Sequence, residues 1–333
     1  MSLPPDTDTL SARYRAKAID HANERVLITD FRGSLQEGDL TVPPNCGGFG
    51  RVRHFHRLDR PNWIPNPLPI DPALHSLSLP QTDALRTQLF QNAACSWRCW
   101  YCFVPYNLLG ANPLHSAWLS ADDLLDRYLA EPERPNVIVL SGGQPDLTPE
   151  WTVWMLRALA RRSLDQVYVW TDDNLSNDYL FRHLAAADHN ILRSYAHFGR
   201  VGCFKGFDEA SFSFNTGAAS SLFTRQFELM RRLLTLNLDT YAYVTLTSPT
   251  STDLLQRIES FVDRLQDVHE FLPLRMVPLE ITMFGTVLVR PAGDHRDQAL
   301  ANQYAVLDAW QTVLHQRFPN ADGVITAVDL SAT

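Results

Sequence analysis

Three thiols stand within eight residues, in Cys95-Ser96-Trp97-Arg98-Cys99-Trp100-Tyr101-Cys102. Thiolates are the natural ligands of iron–sulfur clusters, and a fully ligated electron carrier uses four of them. Three leave one coordination position open, which catalysis at a metal requires. A structural zinc site is the other chemistry that cysteines at such spacing offer, but it takes four ligands, usually as paired C-x2–4-C. The fourth would have to be Cys46, Cys203 or a distant histidine, and no second pair is present. About forty residues downstream, Ser141-Gly142-Gly143-Gln144-Pro145 follows the apolar run Val137–Leu140. Two glycines directly after a strand allow a ligand to approach the backbone closely.

Together the CxxxCxxC loop and the glycine turn resemble the radical S-adenosylmethionine (SAM) superfamily, in motif style nearest to the glycyl-radical activating enzymes. The resemblance implies that Cys95, Cys99 and Cys102 hold three irons of a [4Fe–4S] cluster. The fourth iron is then left for the amino and carboxylate groups of SAM. Reductive cleavage would give methionine and a 5′-deoxyadenosyl radical that abstracts a hydrogen atom from a substrate. Tyr101 occupies the aromatic position before the third cysteine, near the adenine in the family. Gly142, Gly143, Gln144 and Pro145 stand in place of the family's Gly-Gly-Glu-Pro, whose backbone carbonyls meet the SAM amino group. Gln144 departs from that pattern and gives up the charge-assisted hydrogen bond. Asp172, Asp173 and Lys205 are the further anchors the resemblance implies. Cys203-Phe204-Lys205-Gly206 resembles a strand end where a lysine approaches the SAM carboxylate, although the acid that often precedes it by two residues is here Cys203. Asp172-Asp173-Asn174 reads equally as a helix cap and turn.

Other candidates keep two readings each. Cys203 is a hydrogen-atom donor to a substrate radical or a small core residue. Arg98 tunes the cluster or points to solvent. Arg51, Arg53, His54 and His56, in Arg51-Val52-Arg53-His54-Phe55-His56-Arg57, bind an anionic substrate group or form a solvated strand. Cys46 and Cys203 cannot supply the ligands of an auxiliary cluster, so one cluster is expected. Lys205 stands out further because only Lys17 and Lys205 among the 29 basic residues are lysine.

The elements that position these residues alternate from about residue 86, the pattern of an α/β protein with parallel strands. Strands are expected at Gln88–Gln91, Val137–Leu140, Val167–Trp170, Val201–Phe204, Tyr241–Leu246 and Leu274–Leu279. Ser120-Ala121-Asp122-Asp123 reads as a capping box opening a helix. Thr148-Pro149-Glu150 starts another, and helices are expected over 220–236, 252–266 and 296–317. The fold class is thus α/β, and six units match the partial (β/α)6 TIM-type barrel that the resemblance implies, with the site at the C-terminal strand ends. The expected organisation is an N-terminal extension over 1–85, a core barrel over 86–280, and a C-terminal strand and helix over 281–333 that complete or cover it. The extension, proline-rich at 43–44 and 61–67, reads as extended chain and turns that are stiff but not helical.

At 333 residues with 45% hydrophobic content the chain can bury a large core. No apolar run reaches the roughly 18 residues that span a bilayer, and the first residues show no signal-peptide h-region. Five cysteines, three of them clustered, do not suggest a disulfide framework. An oxygen-sensitive cluster needs reducing surroundings, so a cytoplasmic location without membrane attachment is expected. A net charge of −8 argues against a broad nucleic-acid footprint. The expected activity is that of a radical SAM enzyme acting on a small, anionic molecule, with a one-electron reductant such as flavodoxin or ferredoxin as partner. A protein or peptide substrate is the alternative within the class. A non-catalytic iron–sulfur electron-transfer or zinc-binding protein is the alternative outside it. Neither the substrate nor the product is named by the sequence.

Overall fold

Residues 6–38, 42–58, 62–290, 295–321 and 323–330 are described by the computed structural model. The first five residues of the N-terminal segment, Pro61 of the proline-rich stretch and part of the 281–333 segment lie outside them. A helix, Thr7–Ala18, comes first, and the Asp6 carboxylate caps it by accepting from the Asp8 and Thr9 amides at 3.1 Å each. Strands β1 (Ile19–Asp20), β2 (Arg25–Thr29), β3 (Gly50–His56), β4 (Ala84–Phe90) and β5 (Ser116–Ser120) follow. Then come β6 (Val137–Leu140), β7 (Tyr168–Asp173), β8 (Phe198–Phe204), β9 (Asp239–Thr245) and β10 (Met276–Leu279).

Six strands, β4 and β6 to β10, run parallel in one sheet of order β10-β9-β8-β7-β6-β4-β3. The architecture is mixed α/β with a curled half-barrel sheet, and its six parallel strands fall where the sequence expects them, within a few residues at each end. Their near-continuous apolar runs suit strands covered on both faces. One face, including Ile138, Leu140, Val169, Phe204 and Val244, packs with residues of the surrounding helices such as Trp151, Met230 and Phe261. The other face lines the half-barrel with Leu89, Val139, Tyr168, Trp170, Val201, Cys203, Tyr241 and Tyr243. Tyr168 stacks on Trp170 with centroids 6.5 Å apart, and Trp170 meets Tyr241 at 5.8 Å, so the lower interior is filled by rings.

The segment before residue 86 departs from the expectation of chain without helices. It carries the helix Thr7–Ala18, a short helix Ile70–Ser76 packed on the inner face, and three strands. β2 joins β1 and β5 in a small antiparallel sheet, and β3 adds an antiparallel edge to the main sheet beside β4. Proline density hid the helices, although the first turn of Ile70–Ser76 accommodates Pro72.

Arg200 on β8 and Asp173 on β7 form an ion pair on the helix-covered face, with Arg200 1% and Asp173 4% exposed. Asp173 also accepts from the Leu175 amide at 2.7 Å. Removing one partner of a buried pair leaves the other charge uncompensated, at about 3–5 kcal/mol. Asp173→Ala is therefore expected to lower unfolding stability by about that amount, read from the denaturant midpoint. A loss under about 1 kcal/mol, as for surface pairs, would contradict it.

Candidate functional site

The three cysteines lie in a loop after β4 that has almost no secondary structure of its own, so neighbours must satisfy its backbone. The Cys95 amide donates to Leu109 O at 3.0 Å, and the Trp100 amide to Asn215 O at 3.3 Å. The Tyr106 hydroxyl donates to the carbonyls of Arg98 and Cys99 at 3.0 Å each. Trp100 Nε1 donates to Asn215 Oδ1 at 3.0 Å. Arg98 does not point to solvent. Its guanidinium folds back onto the carbonyls of Cys95 (2.5 Å) and Trp97 (2.7 Å) and donates to the Tyr14 hydroxyl at 2.8 Å.

Cys95 is buried and Cys99 and Cys102 are half-buried. Burial pushes all three thiols up, Cys99 to about 11, while the Lys205 charge draws Cys99 and Cys102 back down. Asn174 aims its side-chain amide at Cys95 Sγ from 3.9 Å. Among the described residues no three His, Cys, Asp or Glu side chains converge on a single ion position. The cysteines of a cubane each bind a different iron, so they need not converge.

Gln144 links the loop to the glycine turn. It is fully buried, and its carbonyl accepts from the Ser96 amide at 2.8 Å and the Ser96 hydroxyl at 2.9 Å. Its amide donates to Asp146 Oδ2 at 3.0 Å and Ser176 Oγ at 2.6 Å. Asp146 also accepts from Asn177 Nδ2 at 2.7 Å and from the Asn174 amide at 3.2 Å. Burial and the nearby Asp173 charge raise Asp146 to about 6, against those hydrogen bonds. Both ends of the Gln144 side chain are thus committed inside the protein rather than turned toward a ligand. The acid that the motif lacks at 144 stands two positions later, with the glutamine amide between it and Ser96. A glutamate at 144 would set two carboxylates against each other.

The glycines are demanded by space. Gly142 has φ +80° and Gly143 φ +62°, and a Cβ on Gly143 would sit 1.9 Å from Asn92 O. Pro145 follows, buried, opening a short 3-10 turn. The turn and the cysteine loop therefore meet with no atom to spare.

Several other candidates gather on the inner face near the strand ends. The Asp172 carboxylate accepts from the Ser141 hydroxyl. Burial raises Asp172, opposed by that bond and by the Lys205, Arg53 and Arg200 charges. Cys203 is 7% exposed and lines the same face, and burial raises its thiol to about 12. For Lys205 burial acts downward, but the Cys203, Tyr101, Cys99 and Asp172 charges outweigh it and raise the ammonium. Among the described residues no carboxylate lies within ion-pair distance of Lys205. Tyr101 reaches across to share a hydrogen bond with Thr245 Oγ1 at 3.0 Å.

In β3, Arg51 and Arg53 pair with Leu89 and Thr87 and so share the inner face, whereas His54 pairs with Arg86. His54 and His56 are exposed on the opposite face and do not join the site. Asp173 also stands apart, held by Arg200.

Sequence reasoning missed Ser96, Asp146, Asn174 as a donor to sulfur, and Arg290. An acid two residues beyond a neutral motif position was a readable sign for Asp146. Arg290 carried none, being nearly two hundred residues from the loop it touches.

No family model matches the chain, and no curated protein does. Among solved structures it is similar to Streptococcus suis SuiB bound to S-adenosylmethionine, at 16% identity and a TM-score of 0.46, over 68% of this chain and 46% of that one. SuiB bound to the precursor peptide SuiA gives 14% and 0.47, over 69% and 46%. SuiB alone gives 15% and 0.43, over 68% and 46%. The chain thus spans less than half the length of these structures.

Gln144→Glu is expected to destabilise the full chain by about 3 kcal/mol or more, the scale of an uncompensated buried charge. Adding Asp146→Asn should recover most of that loss, since the pair is then only exchanged. Equal midpoints for the single variant and the parent in anaerobic urea unfolding would refute the link.

Proposed function

We propose that this chain is a radical SAM enzyme whose cluster is held by Cys95, Cys99 and Cys102. The observation that carries the reading is a convergence at the C-terminal ends of parallel strands. A loop with three thiols and a glycine turn with no room for a Cβ are joined there through Ser96 and Gln144, and Lys205, without a carboxylate partner among the described residues, stands beside them. The donor set fits a cubane with one free corner. When bound, cluster and SAM together supply an electron, a cleaved carbon–sulfur bond and a 5′-deoxyadenosyl radical that takes a hydrogen atom from the substrate.

The residues of the chain bind and orient. Lys205 offers a compact positive charge to the SAM carboxylate. The backbone of Gly142 and Gly143 receives the amino group, with Pro145 fixing the exit of the turn. Gln144 acts one step back, holding Ser96 and hence the cysteine loop in register with that turn. Tyr101, pinned by Thr245, presents its ring beside the third cysteine for the adenine. The rings lower in the half-barrel exclude water beneath the site. Asp172 lies close enough to Lys205 to feel its charge.

Arg51, Arg53 and Cys203, on the same face, stand on the substrate side. Two guanidiniums on that wall favour a small, anionic substrate. On this reading 86–280 is the catalytic core, 1–85 an extension packing on the barrel, and 281–333 the part that completes or covers it. An external one-electron reductant such as flavodoxin or ferredoxin, and a reducing cytoplasmic setting, complete the proposal. Among the described residues no helix is long and apolar enough to cross a membrane.

Anaerobically reconstituted protein is expected to be brown, and replacing Cys95, Cys99 and Cys102 by alanine should bleach it. With dithionite and SAM the parent should release 5′-deoxyadenosine. Iron–sulfur absorbance without nucleoside under several reductants would favour electron transfer, and tightly held zinc would end the reading altogether.

Lys205→Gln should weaken SAM binding about 10- to 100-fold, the worth of a hydrogen bond to a charged group, at unchanged iron content. Unchanged affinity by equilibrium dialysis would move the carboxylate elsewhere.

A further inference from the structure

Two arginines clasp the cysteine loop from opposite sides of the sequence. Arg98 belongs to the loop, and Arg290 follows the short helix Gly285–Leu288. Arg290 Nη1 donates to Trp100 O at 2.9 Å and Nη2 to Val104 O at 2.7 Å. Arg98 covers the carbonyls of Cys95 and Trp97. Both guanidiniums lie over the ring of Tyr106, at 4.0 Å for Arg290 and 5.7 Å for Arg98. Thr286 Oγ1 adds a bond to Phe103 O at 2.8 Å, so the 286–290 segment is fixed to the loop at three points. Among the described residues neither arginine has a carboxylate within ion-pair distance. In a chain of net charge −8, two cations with no carboxylate partner among the described residues lie against the loop that carries the thiols.

We propose that Arg98 and Arg290 are positioning residues that set the reduction potential of the cluster carried by this loop, an inference that rests on the radical SAM reading. Three thiolates around a cubane of charge +2 make an assembly of net charge −1, and one electron from the external reductant makes it −2. Fixed positive charges stabilise the more negative state. Net charge and hydrogen bonding are established levers on such potentials. Each guanidinium gives two hydrogen bonds to carbonyls of the loop, and Arg98 a third to the Tyr14 hydroxyl, so their charge is held against the loop. Arg290 also makes the potential depend on a segment remote in sequence, so the last part of the chain takes part in the chemistry of the first motif.

The test is a redox titration of the reconstituted full chain, following the reduced cluster by electron paramagnetic resonance. Arg290→Gln should lower the equilibrium constant for accepting the electron about tenfold, which for a one-electron couple is about 59 mV. Arg290→Lys, which keeps the charge but not the two-point contact, should recover at least half of the shift. An unshifted midpoint in Arg290→Gln, or a lysine variant as low as the glutamine one, overturns the proposal. If Arg290→Gln fails to hold iron, Arg98→Gln and Arg98→Lys carry the same expectations. Loss of iron from all four variants would mark the arginines as structural pins only and overturn it equally. A parent protein that takes up no cluster is a failure of the functional reading instead, recognised before any variant is compared.

Discussion

Everything at this site depends on one buried side chain that is polar at both ends. Gln144 receives two hydrogen bonds from Ser96 and gives two, to Asp146 and Ser176. A buried amide left unpaired costs more than a paired one returns, so such a junction does not tolerate the loss of a partner. Its effect is to fix the cysteine loop, which has no ladder of its own, against the end of β6 and the segment after β7. The pairing of β4 with β6 brings the two motifs to one edge, and this bridge fixes how they seat against each other.

The parallel sheet explains why the site lies where it does. Strands covered on both faces end in loops at the same edge, and loops from different strands can meet only there. The inner face changes character along its length. Rings of Tyr168, Trp170 and Tyr241 fill it below, and Asp172, Cys203 and Lys205 stand above them. The transition follows from strand periodicity. Residues two apart share a face, so Trp170 is succeeded by Asp172 and Cys203 by Lys205.

What the sequence revealed and what it hid divide along a physical line. The cysteine spacing and the glycine turn were legible because each is local, with chemistry concentrated in a few adjacent residues. Val137–Leu140 was placed to the residue because a four-residue, largely β-branched run closed by a glycine turn is too short for a helix. The helix Thr7–Ala18 was obscured by the prolines around it, whereas a strand was already one of the two readings of Arg51–Arg57. The direction of the Gln144 side chain is not readable from the motif, and the fold gives its carbonyl to Ser96. The sides of β3 could not be assigned either, because register against β4 decides which of Arg53 and His54 faces inward. Arg290 lay wholly beyond sequence reasoning, since nothing local marks a residue for a partner so far away.

Asn215 has a consequence of a different kind. Its amide donates to Lys205 O at 2.9 Å and Thr247 O at 3.2 Å, while its carbonyl takes Thr247 Oγ1 at 2.7 Å and Trp100 Nε1. One small side chain thereby bolts together the ends of two neighbouring strands and the indole beside Cys99. Movement of any one is resisted by its bonds to the other two. Any guest this corner received would meet a mould cast in advance.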